Sequence, residues 1–162
     1  MNAPGWQLAQ ANIAYMKAPA DDPLLADFIA QLDAINHLAE ASPGFVWRHH
    51  SDSRDPAQRE YDDPNVLFNM SVWDSVEALH TYTYRSAHAG VFARRKQWFD
   101  DIGARFGSRG MVLWWVPAGH HPSVEEARER LARLTADGPS ADAFTFKRTF
   151  DPAGQECART AV

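Results

Sequence analysis

The chain has 162 residues, of which 45% are hydrophobic and 23% are charged, and its formal net charge is −5. This length predicts a single domain over residues 1–162, with a core at about 6–150 and a mobile tail at 151–162. The negative charge argues against a nucleic-acid binder, which would carry a clustered basic face. Without a secretory leader or a long apolar stretch, the sequence predicts a cytoplasmic protein that does not enter a membrane.

The first half of the chain predicts three strands and one helix. Asp22-Pro23 supplies an N-cap and a proline at the first helical position, and apolar residues then recur at helical spacing. The stop at Ser42-Pro43-Gly44 ends this helix. The other predicted segments are a strand at 6–14, a strand at 45–50, an exposed loop at 51–64 and a strand at 65–73.

The second half predicts a long helix, a strand, a shorter helix and a last strand. Asp74 and Glu77 have the spacing of a capping box, and the helix they open runs through HTYTYRSAHAGVFARRKQWF, residues 80–99. Ser123 and Glu126 form a second capping box, and Gly138-Pro139 ends the helix that follows. The other predicted segments are a loop at 103–110, a strand at 111–117 and a strand at 144–150.

The order of these elements is β-α-β-β-α-β with an additional α-β at the C-terminus. Its first six elements match the ferredoxin-like pattern, in which helices cover one face of an antiparallel sheet. We therefore predict an α+β fold of this kind, with an extra C-terminal helix and strand.

Polar residues recur on the two strands that this topology makes central neighbours. Gln10 and Asn12 share one face of the first strand, and Asn69 and Ser71 share one face of the third. Such side chains are costly to bury without partners. They indicate either a hydrogen-bonded network that sets the register or a subunit interface, or a ligand site.

The long predicted helix carries His80, Tyr84 and His88 four residues apart, which places them on one helix face. We predict that His88 is a general base, with His80, Tyr84 and Asn12 also in the catalytic group. A histidine here also suits a proton shuttle or an axial haem ligand. The structural alternative is a hydrogen-bonded histidine at the boundary between helix and sheet.

Tryptophans are frequent, and aromatic side chains either pack a core or wall a flat pocket. We predict a substrate-binding group formed by Gln10, Asn69, Trp47, Trp73, Trp98 and Trp114. No metal is predicted, because His49-His50 lies on a strand and points to opposite faces, and His120-His121 lacks a second cluster at ligand spacing.

Several segments together resemble a bacterial family known as domain of unknown function number 3291. The resemblance covers about nine-tenths of the chain, and the segments that carry it are LAQANIA, ASPGFVWR, SVWDSVEALHTYTYRSAHAGVFARRKQWF, VLWWVPAGHHPSVEEARERLARL and AFTFKR. The family is similar in fold to the dimeric α/β-barrel superfamily, which includes antibiotic-biosynthesis monooxygenases and several haem proteins. The resemblance implies this fold and a homodimer, and it brings no assigned reaction.

These observations predict an enzyme that acts on a small hydrophobic or aromatic metabolite. By family analogy its chemistry is monooxygenase-like or another acid–base step. The alternatives are a haem protein with a helix histidine as axial ligand, and a dimer that binds a small molecule without catalysis. No cofactor is expected in the leading case, since no flavin or nicotinamide motif occurs, and haem is the one cofactor left open.

Overall fold

The computed structural model describes residues 3–51, 55–86, 88–103, 107 and 109–158. Its strands are β1 (Trp6–Met16), β2 (Phe45–Arg48), β3 (Val66–Trp73), β4 (Phe99–Asp100) and β5 (Met111–Pro117). They form an antiparallel sheet of order β2-β3-β1-β4, and β5 also pairs with β1, which makes β1 the centre of the sheet. The predicted α+β class with an antiparallel sheet is confirmed, and the sheet is open.

Helices lie on both faces of this sheet. They are α1 (Ala26–Glu40), α2 (Val76–Arg85), α3 (His88–Ala93), α4 (Arg95–Trp98) and α5 (Val124–Asp137), with short 3₁₀ turns at Pro23–Leu25 and Pro56–Gln58. The even-numbered residues of β1 face α1 and α2, and we call this side the helix face. Leu8 and Trp73 pack there against Ala39 of α1 and Leu79 of α2. No helix of the described residues has the length and apolar character needed to cross a membrane.

The extra C-terminal helix α5 covers the opposite face. Its buried residues Ala127, Leu131 and Leu134 pack against Ala9 and Trp114 of the sheet. A sheet with helices on one face only would expose apolar side chains on this face in a monomer, which would favour a dimer interface there. Because α5 already buries it, that argument no longer applies, and the homodimer remains a prediction from the superfamily resemblance.

The predicted single helix over residues 80–99 is wrong. Helix α2 ends at Arg85, and Ser86 has the extended backbone angles φ −108° and ψ −177°. The Ser86 hydroxyl donates to the carbonyl of Tyr82 and accepts from the backbone N–H of His88 at 3.1 Å, so one side chain serves both helix ends. His88 therefore begins a separate helix.

The predicted helix starts are partly correct. Asp22 caps the 3₁₀ turn before α1, accepting from the N–H of Leu24 at 2.9 Å. The cap of α2 is Ser75, which accepts from the N–H of Ala78 at 3.1 Å, and not Asp74. Ser123 caps α5 as predicted, accepting from the N–H of Glu126 at 3.1 Å.

The predicted strand at 144–150 is reduced to isolated bridges. Phe144 pairs with Leu113 of β5, and the chain then turns so that Thr145 pairs with Arg148. Beyond this turn the N–H of Cys157 donates to the carbonyl of Thr149 at 2.8 Å. The predicted tail thus has backbone hydrogen bonds as far as residue 157, and residues 159–162 lie outside the described part.

Candidate functional site

The four polar side chains predicted at the sheet centre do lie side by side. Gln10 is the register partner of Ser71, and Asn12 is the partner of Asn69. The Gln10 amide nitrogen donates to Ser71 Oγ at 2.8 Å and to Asn69 Oδ1 at 3.1 Å. We call Gln10, Asn12, Asn69 and Ser71 the polar gap, since they separate two apolar clusters along the helix face.

Asn69 is the residue of the polar gap that is exposed to solvent. It lies on a strand in the middle of the sheet, yet its side chain is exposed, whereas Gln10 and Ser71 beside it are buried. Because its Oδ1 accepts from Gln10, the Asn69 amide nitrogen is left with two N–H donors. Asn12 is half-buried, and no hydrogen bond of its side chain to another described residue is present. The gap can therefore offer hydrogen-bond donors to a ligand.

Helix α1 packs against the apolar clusters on either side of the polar gap, but its middle is not buried. Its buried residues are Phe28 near one end and Ala39 near the other, and each packs into a different apolar cluster. Leu32 and Ile35 between them are only half-buried. A helix that packs fully on a sheet buries an apolar residue at nearly every turn. The middle of α1 thus presents partly exposed apolar side chains on the same face of the sheet as the polar gap.

His88 is held by a backbone carbonyl. Its Nδ1 lies 3.1 Å from the carbonyl oxygen of Thr83, and a carbonyl can only accept, so Nδ1 carries the proton. Neutral His88 then has its lone pair on Nε2. Burial lowers the pKa of His88 below its usual 6.5, against the opposing effect of the bond to Thr83. His88 is therefore neutral at physiological pH and has the form required of a base or a metal ligand.

Two stacked aromatic rings connect His88 with the polar gap. The ring centroids of His88 and Tyr82 are 4.9 Å apart, and those of Tyr82 and Trp73 are 5.1 Å apart. Trp73 Nε1 then donates to Ser71 Oγ at 2.8 Å. The Tyr82 hydroxyl donates to the carbonyl of Ile35 in α1 at 3.2 Å, and burial raises its pKa to about 12. No direct hydrogen bond joins His88 to Asn12 or Asn69 within the described chain.

His80 and Tyr84 belong to a more exposed aromatic group. Their ring centroids are 4.7 Å apart, and the Phe146 ring lies 5.2 Å from His80 and 5.9 Å from Tyr84. Tyr84 is 44% exposed, and Phe92, which stacks near His88, is 36% exposed. The Tyr84 ring contacts Phe92, and Phe92 in turn stacks on His88. Tyr84 and His80 are therefore linked to His88 at the protein surface and not at the sheet centre.

The predicted tryptophans are divided among different clusters. Only Trp73 adjoins the polar gap. Trp98 packs with Phe28 at the far end of α1, whereas Trp114 and Trp47 lie on the opposite face of the sheet. The structure thus brings together Gln10, Asn12, Asn69 and Trp73, and it separates the other three tryptophans from them.

Tyr82 was not among the predicted site residues, although it links His88, α1 and Trp73. Its position two residues before Tyr84 places it on another side of α2, and no sequence motif marks that choice. Among the described residues no group of three or more histidine, cysteine, aspartate or glutamate side chains could hold a metal ion.

Comparison with known proteins gives a family and several distant structural neighbours. A model described as Domain of unknown function (DUF3291) matches residues 7–160. No curated protein matches the chain. A Pseudomonas aeruginosa protein is similar at 14% identity and TM-score 0.45, over 70% of this chain and 95% of its own.

Two further solved structures are similar at the same level. One is a Nitrosomonas europaea protein of unknown function, with 15% identity and TM-score 0.46, over 75% of this chain and 99% of its own. The other, from Chloroflexus aurantiacus J-10-fl, is described as a suspected antibiotic biosynthesis monooxygenase. It has 14% identity and TM-score 0.41, over 73% of this chain and 98% of its own.

Proposed function

The chain belongs to the Domain of unknown function (DUF3291) family, and we propose that it is an enzyme acting on a small, mainly apolar or aromatic metabolite. The observation that carries this proposal is the exposed Asn69 in the middle of the sheet, on the face where α1 buries apolar residues only near its ends. Ligand sites commonly combine apolar walls with a few directed polar groups. The polar gap and the half-buried apolar residues of α1 have this composition.

The substrate suited to this gap carries a carbonyl or phenolic oxygen. The free N–H donors of Asn69, with Asn12 beside them, bind such an oxygen and stabilise negative charge on it. The half-buried Leu32 and Ile35 contact the apolar part of the molecule. A substrate that becomes an anion during the reaction is therefore favoured over one that becomes a cation.

His88 is the proposed base. Its Nε2 lone pair accepts the substrate proton, while Thr83 holds Nδ1–H and Tyr82 packs on the ring. Because Tyr82 and Trp73 lie between His88 and the polar gap, this pair of features suits an extended substrate, whose oxygen binds at Asn69 while an acidic O–H or C–H group elsewhere on the molecule reaches His88. By analogy with the monooxygenases of the resembled superfamily, and not from any reaction assigned to the family, such an anion would be the starting point for cofactor-independent oxygenation. Tyr84 and His80 line the exposed approach to His88.

The test uses 4-nitrophenol, whose phenolate is yellow, with nitrobenzene as a probe that lacks the hydroxyl. Wild-type protein is expected to bind 4-nitrophenol and to increase the phenolate absorbance at neutral pH. Asn69→Leu is expected to weaken binding about tenfold, the usual effect of losing a hydrogen bond to a charged group. Asn65→Leu, a matched change just before the same strand, is the control and is expected to bind normally.

His88→Gln separates the base from the binding site. This variant is expected to bind 4-nitrophenol with a smaller increase in phenolate absorbance, because the imidazolium that His88 forms on taking the proton no longer stabilises the phenolate. Equal binding of nitrobenzene and 4-nitrophenol by the wild type, or unchanged binding by Asn69→Leu, would contradict the proposal.

A haem protein is the second candidate, favoured by one observation. His88 has its Nδ1–H bonded to a carbonyl, and its Nε2 has no hydrogen bond to another described residue, which is the state of a histidine that ligates haem iron. Haem would supply redox chemistry, and His88 would be the residue that holds it. Titration with haemin is expected to give a sharp Soret band that His88→Ala abolishes, with His80→Ala as the comparison. Absence of stoichiometric binding would exclude this function.

The proposed assembly is a homodimer, supported by the superfamily resemblance. Light scattering is expected to give twice the chain mass of 18.2 kDa at micromolar concentration. A mass of one chain would exclude the dimer and leave the enzymatic proposal unaffected, since every residue of the polar gap comes from one chain.

A further inference from the structure

The turn between α2 and α3 brings two side chains onto the last carbonyls of α2. Helix α2 ends at Arg85, so the carbonyls of Tyr82 and Thr83 lie in its last turn, where the donors within the helix run out. The carbonyl of Tyr82 accepts from the Ser86 hydroxyl. The carbonyl of Thr83 accepts from His88 Nδ1 at 3.1 Å. Side chains therefore supply hydrogen-bond donors at this helix end.

The contact between His88 and Thr83 depends on the interruption of the helix. On a continuous α-helix, residues five apart are offset by about 140° around the axis, so their groups lie on different sides. Ser86 instead has an extended backbone, and the chain turns there before α3 begins. The His88 ring can therefore fold back onto a carbonyl five residues earlier in the chain.

Ser86 holds this turn with a hydroxyl that donates and accepts at once. Its hydrogen is donated to Tyr82, and its oxygen accepts from the backbone N–H of His88 at 3.1 Å. The backbone carbonyl of Ser86 also accepts from the N–H of Ala89 at 3.0 Å. A serine that bonds the carbonyl four residues earlier often bends a helix, whereas alanine has no such group and is the best helix former.

The acceptor of the His88 ring is itself fixed. Thr83 is buried, and its hydroxyl donates to the carbonyl of Leu79 at 2.9 Å. The rings of Tyr82 and Phe92 pack near the His88 ring, with centroid distances of 4.9 and 6.3 Å. A ring held in this way keeps one neutral tautomer, with the proton on Nδ1 and the lone pair on Nε2.

We propose that Ser86 is the positioning residue of His88. Its hydroxyl interrupts the helix where the interruption turns the His88 ring onto the Thr83 carbonyl, and it thereby selects the tautomer with the lone pair on Nε2. Ser86 acts through His88 and does not bind the substrate. The benefit of this tautomer to a reaction rests on the proposed function, whereas the tautomer itself does not.

The test is nitrogen NMR of isotope-labelled protein at about pH 8, where histidines are neutral. A ring nitrogen with a proton and one with a lone pair resonate far apart, and the His88 signals are those absent from His88→Gln. Wild-type His88 is expected to show the Nδ1–H tautomer alone. Ser86→Ala is expected to show both tautomers, because the ring loses its fixed acceptor. Ser86→Thr is expected to retain the wild-type signals, since threonine has a hydroxyl at the same position and favours extended backbone.

His120 provides an internal reference for these spectra. Its Nε2 lies 2.8 Å from Glu126 Oε1, and the other oxygen of Glu126 accepts from the fully buried Trp114 at 2.8 Å. Because a carboxylate accepts, neutral His120 has its proton on Nε2, the opposite tautomer to His88. Its signals are expected to stay unchanged in every Ser86 variant.

Ser42→Ala is the matched control for stability. Ser42 Oγ donates to the carbonyl of Leu38 at 2.7 Å, which is the same four-residue bond at the end of α1. This variant is expected to lower the melting temperature about as much as Ser86→Ala and to leave the His88 tautomer unchanged. A change of the His88 signals in Ser42→Ala equal to that in Ser86→Ala would mean general loosening of the fold and would overturn the proposal.

Three further results would overturn it. They are an Nε2–H tautomer of His88 in the wild type, a single Nδ1–H tautomer retained in Ser86→Ala, and two tautomers in Ser86→Thr. The 4-nitrophenol assay separates this inference from the proposed function. Two tautomers in Ser86→Ala with an undiminished phenolate absorbance would support the positioning of His88 by Ser86 and contradict the role of His88 as a base.

Discussion

The helices on the two faces of the sheet are buried to different extents. On the opposite face, α5 buries three residues at successive turns, and a fully buried tryptophan packs beneath them. On the helix face, α1 buries one residue near each end and leaves its middle half-exposed over polar side chains. A helix that packs along its whole length closes a core, whereas one that packs only at its ends leaves its middle turns partly exposed. The candidate enzymatic site lies on the face covered by this second kind of helix.

His88 and His120 also differ in how their surroundings hold and bury them. His88 is anchored by a neutral backbone carbonyl and packed between aromatic rings, whereas His120 is anchored by a carboxylate and is nearly half exposed. One anchor fixes the proton on Nδ1 and the other fixes it on Nε2. The two rings therefore turn different nitrogens toward their anchors, Nδ1 in His88 and Nε2 in His120.

Removing the largest side chain of the closed face gives the largest expected effect. Trp114→Ala deletes a fully buried indole and is expected to lower the free energy of unfolding by about 3–5 kcal/mol. Urea unfolding followed by circular dichroism measures this loss. Trp6→Ala, at a site 40% exposed, is the control and is expected to change stability little. Similar losses for both variants would mean that α5 does not close the opposite face.

The polar network of the helix face is expected to contribute less. Ser71→Ala leaves the buried Trp73 indole N–H without an acceptor and is expected to cost about 1–3 kcal/mol. The same substitution in a Trp73→Phe background is expected to cost less, because the orphaned donor is then absent. Equal costs in the two backgrounds, measured by urea unfolding, would show that the bond between Trp73 and Ser71 contributes nothing.

The sheet and most helix positions could be predicted because they follow from local patterns. Alternation marks β1 and β3, and a serine cap marks the start of α5. The broken helix at Ser86 could not be predicted in this way, because a serine hydroxyl that bonds backbone on both sides looks the same in sequence as one exposed on a continuous helix.

The candidate site was predictable to the extent that strand topology determines it. Once β1 and β3 are neighbours, parity alone brings Gln10 and Asn12 beside Asn69 and Ser71. The tryptophans have no such constraint, since apolar character alone does not say which face a ring will pack on. The link between Glu126 and Trp114 was also beyond prediction, because the capping pattern explains the glutamate without it.

The hydrogen bond from Tyr82 of α2 to Ile35 of α1 is expected to contribute to stability by holding the two helices together. Tyr82→Phe removes the hydroxyl that donates to Ile35 and is expected to cost about 1 kcal/mol. Burial raises the pKa of Tyr82 to about 12 and also raises the pKa of Tyr61, so wild-type absorbance is expected to show a late tyrosine ionisation that the variant loses in part. Tyr84→Phe, at an exposed ring on the same helix, is the control and is expected to leave stability unchanged.

The smallest expected effect is the dependence of stability on pH that His88 confers. Its pKa is lowered in the folded protein, chiefly by burial, so the unfolded chain binds a proton more readily in this range. The free energy of unfolding therefore rises with pH, and the contribution of His88 to it is complete above the pKa of the unfolded state, about 6.5. It is lost as the pH falls below that value toward the folded pKa.

His88→Gln isolates this contribution, since glutamine does not titrate. Melting temperatures measured between pH 8 and pH 5 are expected to fall less steeply for the variant than for the wild type below about pH 6.5. Because carboxylates elsewhere titrate at lower pH in both proteins, the difference between the two curves is the informative quantity. Parallel curves would mean that His88 protonates as easily in the folded chain as in the unfolded one. That result would contradict the lowered pKa of His88 and the burial that causes it.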